Sequence, residues 1–444
     1  MFLFYVSTNN QFLLNQFLYF GFNVVSDEMV AQALTAVTTP ILILFMHLNM
    51  FDPIIWDTSP EILKIGALSL RWYSLLFAAP FVIGTPIWYA MFSKAGKTIQ
   101  EADRIKAYLI VSVMLGARLG HVFFYEWDYY KHHLMEILLP VVFHPQFKFV
   151  GFSGLASHGA AIGIVLTIFF YVKRLRFSLF PPRIQLLHRR PTSEFLWLLD
   201  HLVILVALGG MCIRLGNFMN SEVIGKPTNN AYGVVFVRNA HSYLAQRHAL
   251  TIQQLAIRKA PEDGIQPLQK PYQPIELEIT FNHSIQEEAV LQAFLEKHLK
   301  DSLIRLSYDS QPLIYEPYGT PLRYQLTKEA FGKPYRATVY TWGIPRHPAQ
   351  LYEAFSCLLI FVGLFAWWRR KGDVLTPGRI FGTFLIVLFS LRFFYEFYKE
   401  NQVPFENAMC FNMGQLLSIP WVLAGIVLLL RPESKKMEQK TEIS

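Results

Sequence analysis

The chain has 444 residues, of which 53% are hydrophobic and only 16% are charged, whereas about 25% of the residues in an ordinary soluble domain are charged. Aromatic residues make up 15% of the chain, which excludes a largely disordered protein, because such a chain lacks the apolar side chains that offset the entropy of ordering. The 3 cysteines are too few and too scattered for a disulfide framework or a four-ligand zinc site.

The N-terminal segment, residues 1–66, is predicted to precede the first membrane span. It contains no Lys or Arg before Met46, and its apolar patches at 12–22 and 41–45 are short. Because they carry no small-residue cleavage signature, we do not interpret the segment as a signal peptide. Two alternatives stay open: the segment holds an eighth, weak span, or translation begins at Met46.

Seven apolar runs are each long enough to cross a bilayer, which takes about 20 residues. They lie at roughly 68–92, 105–125, 154–172, 195–218, 348–368, 378–398 and 413–430. We therefore expect an all-α polytopic membrane protein with about seven transmembrane helices, four of them within residues 67–237 and three within residues 343–431.

A polar insertion, residues 238–342, separates the fourth run from the fifth and has the composition of an ordinary soluble domain. Alternating apolar residues at 275–281 predict a strand, and the pattern at 287–303 predicts a helix. We expect this insertion to form a small, water-facing α+β head.

Basic residues in the short loops predict the orientation of the spans, because Lys and Arg are retained on the cytoplasmic side of a membrane. Most Lys and Arg outside the head lie at 94–106, 173–190, 369–379 and 431–440. We therefore expect the N-terminal segment and the head to be extracytoplasmic and the tail, residues 432–444, to be cytoplasmic. Because the excess of basic residues is explained by these loops, the net charge of +8 no longer supports a nucleic-acid-binding protein.

Charged and strongly polar side chains within the spans are candidate functional groups, because burying them in hydrocarbon is costly. Since the spans run alternately up and down, almost all of these side chains fall in the outer half of the membrane. They are Arg71, Tyr73, Arg118, His121, His158, Arg214, Asn217, His347, Gln350, Glu353, Arg392, Glu396 and Gln415. Asp200 and His201 lie deeper, and we expect them to serve packing or folding. The convergence predicts one site at the depth of the outer lipid head groups.

Arg214 and Arg392 suggest the ligand of this site, because a guanidinium offers a planar fork of donors that matches phosphate oxygens. A phospholipid head group is the natural ligand at that depth. Two alternatives stay open. Each Arg could serve only as an interfacial anchor, and Arg392 with Glu396, spaced i,i+4, could form a structural ion pair.

His158 lies beside small residues at the start of the third span. Gly159 and Gly163, like Gly116 and Gly120 in the second span, form small-residue faces on which a neighbouring helix can pack closely. An imidazole at such a junction suits proton transfer, although a hydrogen-bonded structural histidine is the alternative.

Seven short motifs follow one another along the chain. They are RWY (71–73), GARLG (116–120), SHG (157–159), RLGNFMNSE (214–222), RHPAQLYE (346–353), RFFYE (392–396) and MGQLLSIP (413–420). Their ordered set resembles the prolipoprotein diacylglyceryl transferase family of bacterial membrane enzymes. Two positions depart from the family pattern, because Ala160 and Ile213 stand where that pattern has glycine.

The resemblance implies an enzyme of the bacterial cytoplasmic (inner) membrane that begins lipoprotein maturation. Such an enzyme transfers the diacylglyceryl group of phosphatidylglycerol to the lipobox cysteine thiol of a preprolipoprotein and releases glycerol phosphate. Its expected partners are phosphatidylglycerol, lipobox signal peptides and membrane lipid, without nucleic acid, metal or other cofactor. The nucleophile belongs to the substrate, so Cys212, Cys357 and Cys410 have no expected part in the chemistry.

The resemblance also assigns roles to eleven residues. The catalytic residues implied are His158, Arg214 and Arg392. The substrate-binding residues implied are Tyr73, Arg118, Asn217, Asn220, Glu222, His347, Glu396 and Gln415.

Two other classes of protein stay open. A transporter or channel for an anionic solute or lipid needs polar groups through the whole membrane or broken helices at its midplane, but only Asp200 and His201 lie deep. A scaffold, with spans that merely anchor the head, would leave the Arg and His residues in the spans unexplained.

Overall fold

The computed structural model describes residues 53–65, 68–138, 141–142, 148–149, 154–179, 182–188, 190–191, 193–230, 232–261, 272–285, 287–328, 334–372, 374–401, 406 and 408–431. These residues fall into two compact units. The first unit holds residues 83–171, and the second holds residues 53–82 and 172–431. The predictions for residues 1–52 and for the tail at 432–444 lie outside the described residues.

Helices form most of both units. In chain order they are α1 (Trp72–Lys94), α2 (Ile99–Phe124), α3 (Ser157–Val172), α4 (Ser193–Met219), α5 (Arg238–Arg247), α6 (Glu288–Ala293), α7 (Lys300–Ser307), α8 (Ala349–Lys371), α9 (Arg379–Tyr395) and α10 (Met413–Leu430). Single helical turns lie at Trp127–Tyr130 and Met135–Leu138, a π-helical stretch at Phe294–Leu299 joins α6 to α7, and a 3₁₀ turn at Glu396–Tyr398 extends α9.

Within the part of the chain that the structure describes, six helices are long and apolar enough to cross a membrane, namely α1, α2, α4, α8, α9 and α10. The apolar α3 has 16 residues, which at 1.5 Å per residue gives about 24 Å, less than the hydrocarbon thickness of about 30 Å. The prediction of a polytopic helical membrane protein is confirmed. The total of seven spans stays a prediction.

Strands lie in the head and also between the long helices. The expectation that the part outside the head is purely helical is therefore wrong. In chain order the strands are β1 (Ile54–Trp56), β2 (Glu61–Ile65), β3 (Leu68–Arg71), β4 (Val141–Val142), β5 (Lys148–Phe149), β6 (Lys173–Leu179), β7 (Pro182–His188), β8 (Val234–Phe236), β9 (Ile252–Lys259), β10 (Gln273–Phe281), β11 (Ile314–Tyr315), β12 (Arg323–Lys328) and β13 (Tyr335–Gly343). The antiparallel hairpin β6–β7 occupies the basic loop between α3 and α4.

The predicted start of the first span, residue 68, is wrong. Leu68 to Arg71 form β3, which pairs with β2, and α1 begins at Trp72. Arg71 therefore lies on an exposed strand, where its Nη2 is 3.9 Å from Glu61 Oε1, and not within a span. The apolar residues of β3 extended the hydropathy run beyond the true helix.

In the first unit, α2 and α3 pack backbone against backbone at their glycines. A Cβ added to Gly116 would lie 2.5 Å from the Gly159 carbonyl oxygen, and one added to Gly120 would lie 2.7 Å from Gly159 Cα. A Cβ at Gly163 would lie 2.6 Å from the Ser112 carbonyl oxygen. The predicted small-residue faces of the two helices therefore contact each other, because only glycine leaves room for this approach.

In the second unit, Asp200 and His201 of α4 bind the neighbouring helices. The two carboxylate oxygens of Asp200 accept hydrogen bonds from the backbone N–H groups of Gly378 (2.6 Å) and Phe381 (2.7 Å), at the start of α9. His201 Nε2 accepts a bond from Trp368 Nε1 of α8 at 3.1 Å. These contacts satisfy unpaired donors at a helix N-terminus and agree with the predicted packing role.

The head is an antiparallel sheet with helices, as predicted. Its strand order is β9–β10–β13, with β11 and β12 both paired to the remaining edge of β13. Buried and half-buried residues alternate along β10, and the core packs this face against Leu291, Leu295 and Leu299. The segment before the first span also contributes, because β1 pairs in parallel with β8 and Ile55 packs against the head core.

Candidate active site

Arg214, near the end of α4, is fixed by a carboxylate from α8. Its Nε lies 2.6 Å from Glu353 Oε2, and its Nη1 donates to Asn217 Oδ1 at 3.4 Å. The Arg214 side chain keeps a quarter of its surface exposed. Its guanidinium is therefore oriented by the protein and still accessible to a ligand.

Glu222 lies at the centre of the loop that follows α4. Its carboxylate accepts hydrogen bonds from Asn217 Nδ2 (3.2 Å) and Asn220 Nδ2 (3.1 Å), and its backbone carbonyl accepts one from Gln350 Nε2 at 2.5 Å. Ser221 and Val223 on either side have φ values of 55° and 56°, which are rare for residues other than glycine. Such a conformation persists where surrounding contacts over-determine it, so the Glu222 position is tightly fixed.

Lys399 joins two carboxylates that come from different helices. Its Nζ lies 2.5 Å from Glu353 Oε1 and 2.9 Å from Glu396 Oε1, and only 4% of the residue is exposed. A buried ammonium needs such partners, because removing a charge from water is costly unless it is paired. Lys399 thereby links the Arg214–Glu353 pair to the end of α9.

Glu396 is connected in turn to the start of α10. Its Oε2 accepts a bond from Asn412 Nδ2 at 3.2 Å, and Asn412 forms a capping box with Gln415. A Cβ at Gly414 would lie 2.6 Å from Glu396 Cδ, so glycine is needed for this carboxylate to fit. Gln415 thus orients the residues around Glu396.

Arg392 does not form the structural ion pair with Glu396 that was left open as an alternative. Lys399 and Asn412 bind Glu396 instead, and among the described residues the half-buried Arg392 guanidinium has no hydrogen bond or ion pair. Arg392 is therefore a cation with free donors, one helical turn before the buried carboxylate.

Tyr73, at the start of α1, reaches the same region of the second unit. A Cβ at Gly216 would lie 2.8 Å from Tyr73 Cδ2, so the glycine of the RLGN motif allows the ring to approach α4. The phenol interacts electrostatically with Glu222 and Arg214. The second unit therefore brings Tyr73, Arg214 and the loop after α4 together.

His347 and Arg346 precede α8 and differ in surroundings. The His347 ring packs among Tyr232, Tyr352 and Tyr398, with ring centroids 5.1 to 6.1 Å away, and burial lowers the pKa of His347. Its Nδ1 lies 3.2 Å from the Tyr352 hydroxyl. We infer that His347 is neutral near pH 7, which makes it a hydrogen-bonding group and not a phosphate-binding cation.

Arg346, with 0% of its surface exposed, connects the head to the residues around the site. Its Nη1 lies 2.8 Å from Glu400 Oε1 and donates to the Gly225 carbonyl at 3.0 Å, while Nη2 donates to the Pro312 carbonyl at 2.8 Å. It therefore holds the loop after α4, the head and the segment after α9 in one arrangement.

His158 and Arg118 belong to the first unit. His158 Nε2 is buried and has no hydrogen-bond partner among the described residues, and its ring lies edge-on to Phe124 at 4.9 Å. Arg118 is buried and donates to the backbone carbonyls of Ile137 (2.9 Å) and Glu136 (2.7 Å). Arg118 therefore holds the segment after α2, and its role in substrate binding stays a prediction.

Sequence reasoning gave no role in the site to Glu353 or Lys399. Glu353 was placed among the polar side chains that converge on the predicted site, without a role of its own, and Lys399 was not among them. The signal available for Lys399 was its spacing of three residues from Glu396, which permits an ion pair on one helical face. The described residues contain no group of three or more His, Cys, Asp or Glu side chains that could hold a metal ion.

Long apolar helices that enclose a connected set of buried charges define a multi-pass membrane protein with a polar site in its second unit. A sequence model described as prolipoprotein diacylglyceryl transferase matches residues 60–277 and 313–431. The chain belongs to the prolipoprotein diacylglyceryl transferase family.

Individual relatives align with this chain over almost their whole length. A phosphatidylglycerol–prolipoprotein diacylglyceryl transferase of Tolumonas auensis is 29% identical over 86% of this chain and 98% of the relative. Proteins with the same description from Bacteroides fragilis and Chloroherpeton thalassium are 26% and 27% identical over 87% of this chain, covering 98% and 97% of their own lengths. Nothing in these similarities favours a transporter.

Proposed function

We propose that this protein transfers the diacylglyceryl group of phosphatidylglycerol to the lipobox cysteine thiol of preprolipoproteins. The names of its relatives state the lipid and the protein substrate. The structural observation that supports the proposal is the difference between the two arginines of the second unit. Arg214 is oriented by Glu353, whereas no described carboxylate neutralises Arg392, so Arg392 can bind an anionic phosphate.

The reaction forms a bond between the cysteine sulfur and the glyceryl carbon that carries the phosphate. The carbon–oxygen bond to phosphate breaks, and its electron pair leaves with glycerol phosphate. Positive charge that is already in place stabilises such a leaving group without reorganisation. Arg214 and Arg392 supply that charge, while Tyr73, Asn217, Asn220, Glu222, His347, Glu396 and Gln415 position the lipid head.

The thiol must lose its proton, because a cysteine with a pKa of about 8.5 is mostly protonated at neutral pH. His158 is the group we assign to this step, directly or through a water molecule. Its Nε2 is buried and has no protein partner among the described residues, so no described hydrogen bond competes with the thiol or the water for that nitrogen.

The assigned location is the bacterial cytoplasmic (inner) membrane, with the N-terminal segment and the head outside and the C-terminus in the cytoplasm. The basic loops support this orientation. The predicted limits, with the head at 238–342 between spans at 67–237 and 343–431, fit a site that faces the outer leaflet.

The function is tested by incubating the purified, full-length protein with phosphatidylglycerol vesicles and a lipobox peptide. We expect glycerol phosphate release and a peptide that carries a thioether-linked diacylglyceryl group. A peptide with serine in place of the lipobox cysteine is the control and should stay unmodified. Movement of phosphate or lipid across the vesicle membrane without a thioether product would support the transporter alternative instead.

A further inference from the structure

A cavity of about 390 Å³ lies in the second unit where α8 and α10 end and α9 begins. Its volume is within the range of about 300–1,000 Å³ that small-molecule sites occupy. The stretch of α9 from Arg379 to Arg392 rises about 20 Å, at about 1.5 Å per residue. The cavity is therefore separate from the candidate active site at the other end of these helices.

The polar side chains that line this cavity can all donate hydrogen bonds. Arg379 is always charged, and its Nη1 donates to the Leu429 carbonyl at 2.7 Å, which holds the guanidinium in place. Thr376, Thr383 and Trp367 are half-buried, and their hydroxyls and indole N–H have no hydrogen bond to any described residue. The described lining contains no acidic side chain. A ligand with a negative charge and several acceptor oxygens fits this set.

The backbone at the start of α9 does not supply this site. The N–H groups of Gly378 and Phe381 already donate to the Asp200 carboxylate, at 2.6 and 2.7 Å, and the N–H of Gly382 donates to the Gly378 carbonyl. A ligand in the cavity must therefore be held by side chains and not by a free helix N-terminus.

Apolar side chains line the same cavity and favour a lipid over a free anion. They are Val374, Leu375 and Leu429. In the proposed orientation this end of the helices lies at the inner leaflet, where the exposed Arg369, Arg370 and Lys371 at the end of α8 also attract anionic lipids. Basic pockets between helices on the cytoplasmic side are typical binding places for anionic head groups.

We propose that this cavity binds the phosphate of an anionic phospholipid of the inner leaflet. Arg379 pairs with the phosphate, Thr376 and Thr383 donate hydrogen bonds to its oxygens, and the apolar lining contacts the glycerol and the adjoining acyl carbons. The proposal goes beyond the transfer reaction, because this lipid is retained and not consumed. It contacts the ends of the three helices that carry Glu353, Arg392 and Gln415 at their opposite ends.

Photo-crosslinking from the cavity itself tests the proposal. The photoreactive p-benzoylphenylalanine replaces Val374, a lining residue that is 87% exposed. The full-length protein is reconstituted in vesicles of equal parts phosphatidylglycerol and phosphatidylcholine with identical acyl chains. We expect the phosphatidylglycerol adduct to exceed the phosphatidylcholine adduct about fivefold, the effect of one arginine beside an anionic lipid. Inorganic phosphate should not displace the adduct, relative to chloride at the same ionic strength.

Two variants remove the site in different ways. Arg379→Gln removes the charge and should reduce the ratio of the two adducts to about one. Thr383→Phe fills the cavity while it keeps Arg379, and it should lower the ratio to the same level. This second variant decides the proposal if Arg379→Gln fails to fold after it loses its bond to α10. Arg370→Gln is the matched control, because Arg370 is exposed and does not line the cavity; the ratio should stay unchanged.

The outcomes that contradict the proposal are distinct. Equal capture of the two lipids by the wild-type protein would overturn it. An unchanged ratio in Arg379→Gln or Thr383→Phe, or an equal loss in Arg370→Gln, would reduce the enrichment to a diffuse attraction of anionic lipids. Displacement by inorganic phosphate would identify a free-anion site instead. All of these outcomes are independent of whether the protein forms a thioether-linked lipid, so they leave the proposed function to its own test.

Discussion

In the second unit, Arg214 and Lys399 divide the carboxylates of Glu353 and Glu396 between them, whereas in the first unit Arg118 donates to backbone carbonyls. The first arrangement fixes charged groups against one another and leaves Arg392 free. The second uses its cation to hold a chain segment. The comparison shows two uses of an arginine: Arg118 donates to backbone carbonyls of its own chain, whereas no described protein group uses the Arg392 donors.

Among the substitutions that test this comparison, replacement of Arg392 should have the largest effect on the transfer rate. Arg392→Ala should lower the transfer rate roughly a hundredfold or more, as expected for the loss of a preorganised donor to the leaving group. The melting temperature should hardly change, because no described protein group depends on the guanidinium. Arg392→Lys should restore little, since lysine lacks the planar fork.

Glycerol phosphate release and thermal unfolding of the detergent-solubilised protein measure both effects. Arg71→Ala is the matched control, because Arg71 is exposed on β3 and should leave both values unchanged. A folded Arg392→Ala protein with near-normal turnover would reduce Arg392 to an interfacial anchor.

His158→Gln should cost about a hundredfold in turnover, within the usual contribution of a general base. Glutamine keeps a hydrogen-bonding group but cannot take a proton near neutral pH. The variant should retain phosphatidylglycerol binding and regain activity as the pH rises toward the thiol pKa of about 8.5. A pH–rate profile of the lipobox peptide reaction measures this, and an unchanged profile with full neutral activity would assign deprotonation to the arginines alone.

Lys399→Met should destabilise the protein by about 3 kcal/mol, because it leaves Glu353 and Glu396 buried without their shared cation. Lys399→Arg should recover part of this loss. Thermal unfolding measures the stability, and transfer by the folded fraction shows whether Arg214 keeps its orientation. Unchanged stability in Lys399→Met would mean that the two carboxylates are protonated or solvated.

Gly116→Ala should have a smaller effect, roughly 1 to 3 kcal/mol of stability, through overpacking against the backbone of α3. The matched control is Gly363→Ala on α8, where an added Cβ meets no atom within 4 Å and alanine has the higher helix propensity. Thermal unfolding should therefore move in opposite directions for the two variants. Equal shifts would show that α2 and α3 separate more easily than their glycine contact implies.

Local sequence patterns predicted much of this fold. The length of each apolar run located α10 at its observed limits and α4 within two residues, and alternation located β10. The start of α1 could not be predicted, because β3 is as apolar as a helix end. The β1–β8 pair was also missed, since three-residue strands far apart in the chain carry no periodic signal.

The candidate site also contains some contacts that local sequence patterns predict and others that they do not. Arg214, Asn217 and Glu222 are near one another in sequence, so their contacts follow from the helix and the loop after it. The role of Lys399 depends on Glu353, which a different helix brings to it, and no local pattern contains that information. The absence of an Arg392–Glu396 pair has the same cause, because Lys399 and Asn412 bind the carboxylate that helical spacing alone would give to Arg392.

The buried guanidinium of Arg346 limits how the head can be shortened. A deletion of residues 247–326, which removes most of the insertion, also removes the Pro312 carbonyl that Arg346 binds. Loss of activity in such a deletion would then reflect an unsatisfied charge beside Gly225 and Glu400 as much as loss of the head itself. A deletion that ends before Pro312, or one combined with Arg346→Met, separates the contribution of the head from that of its attachment.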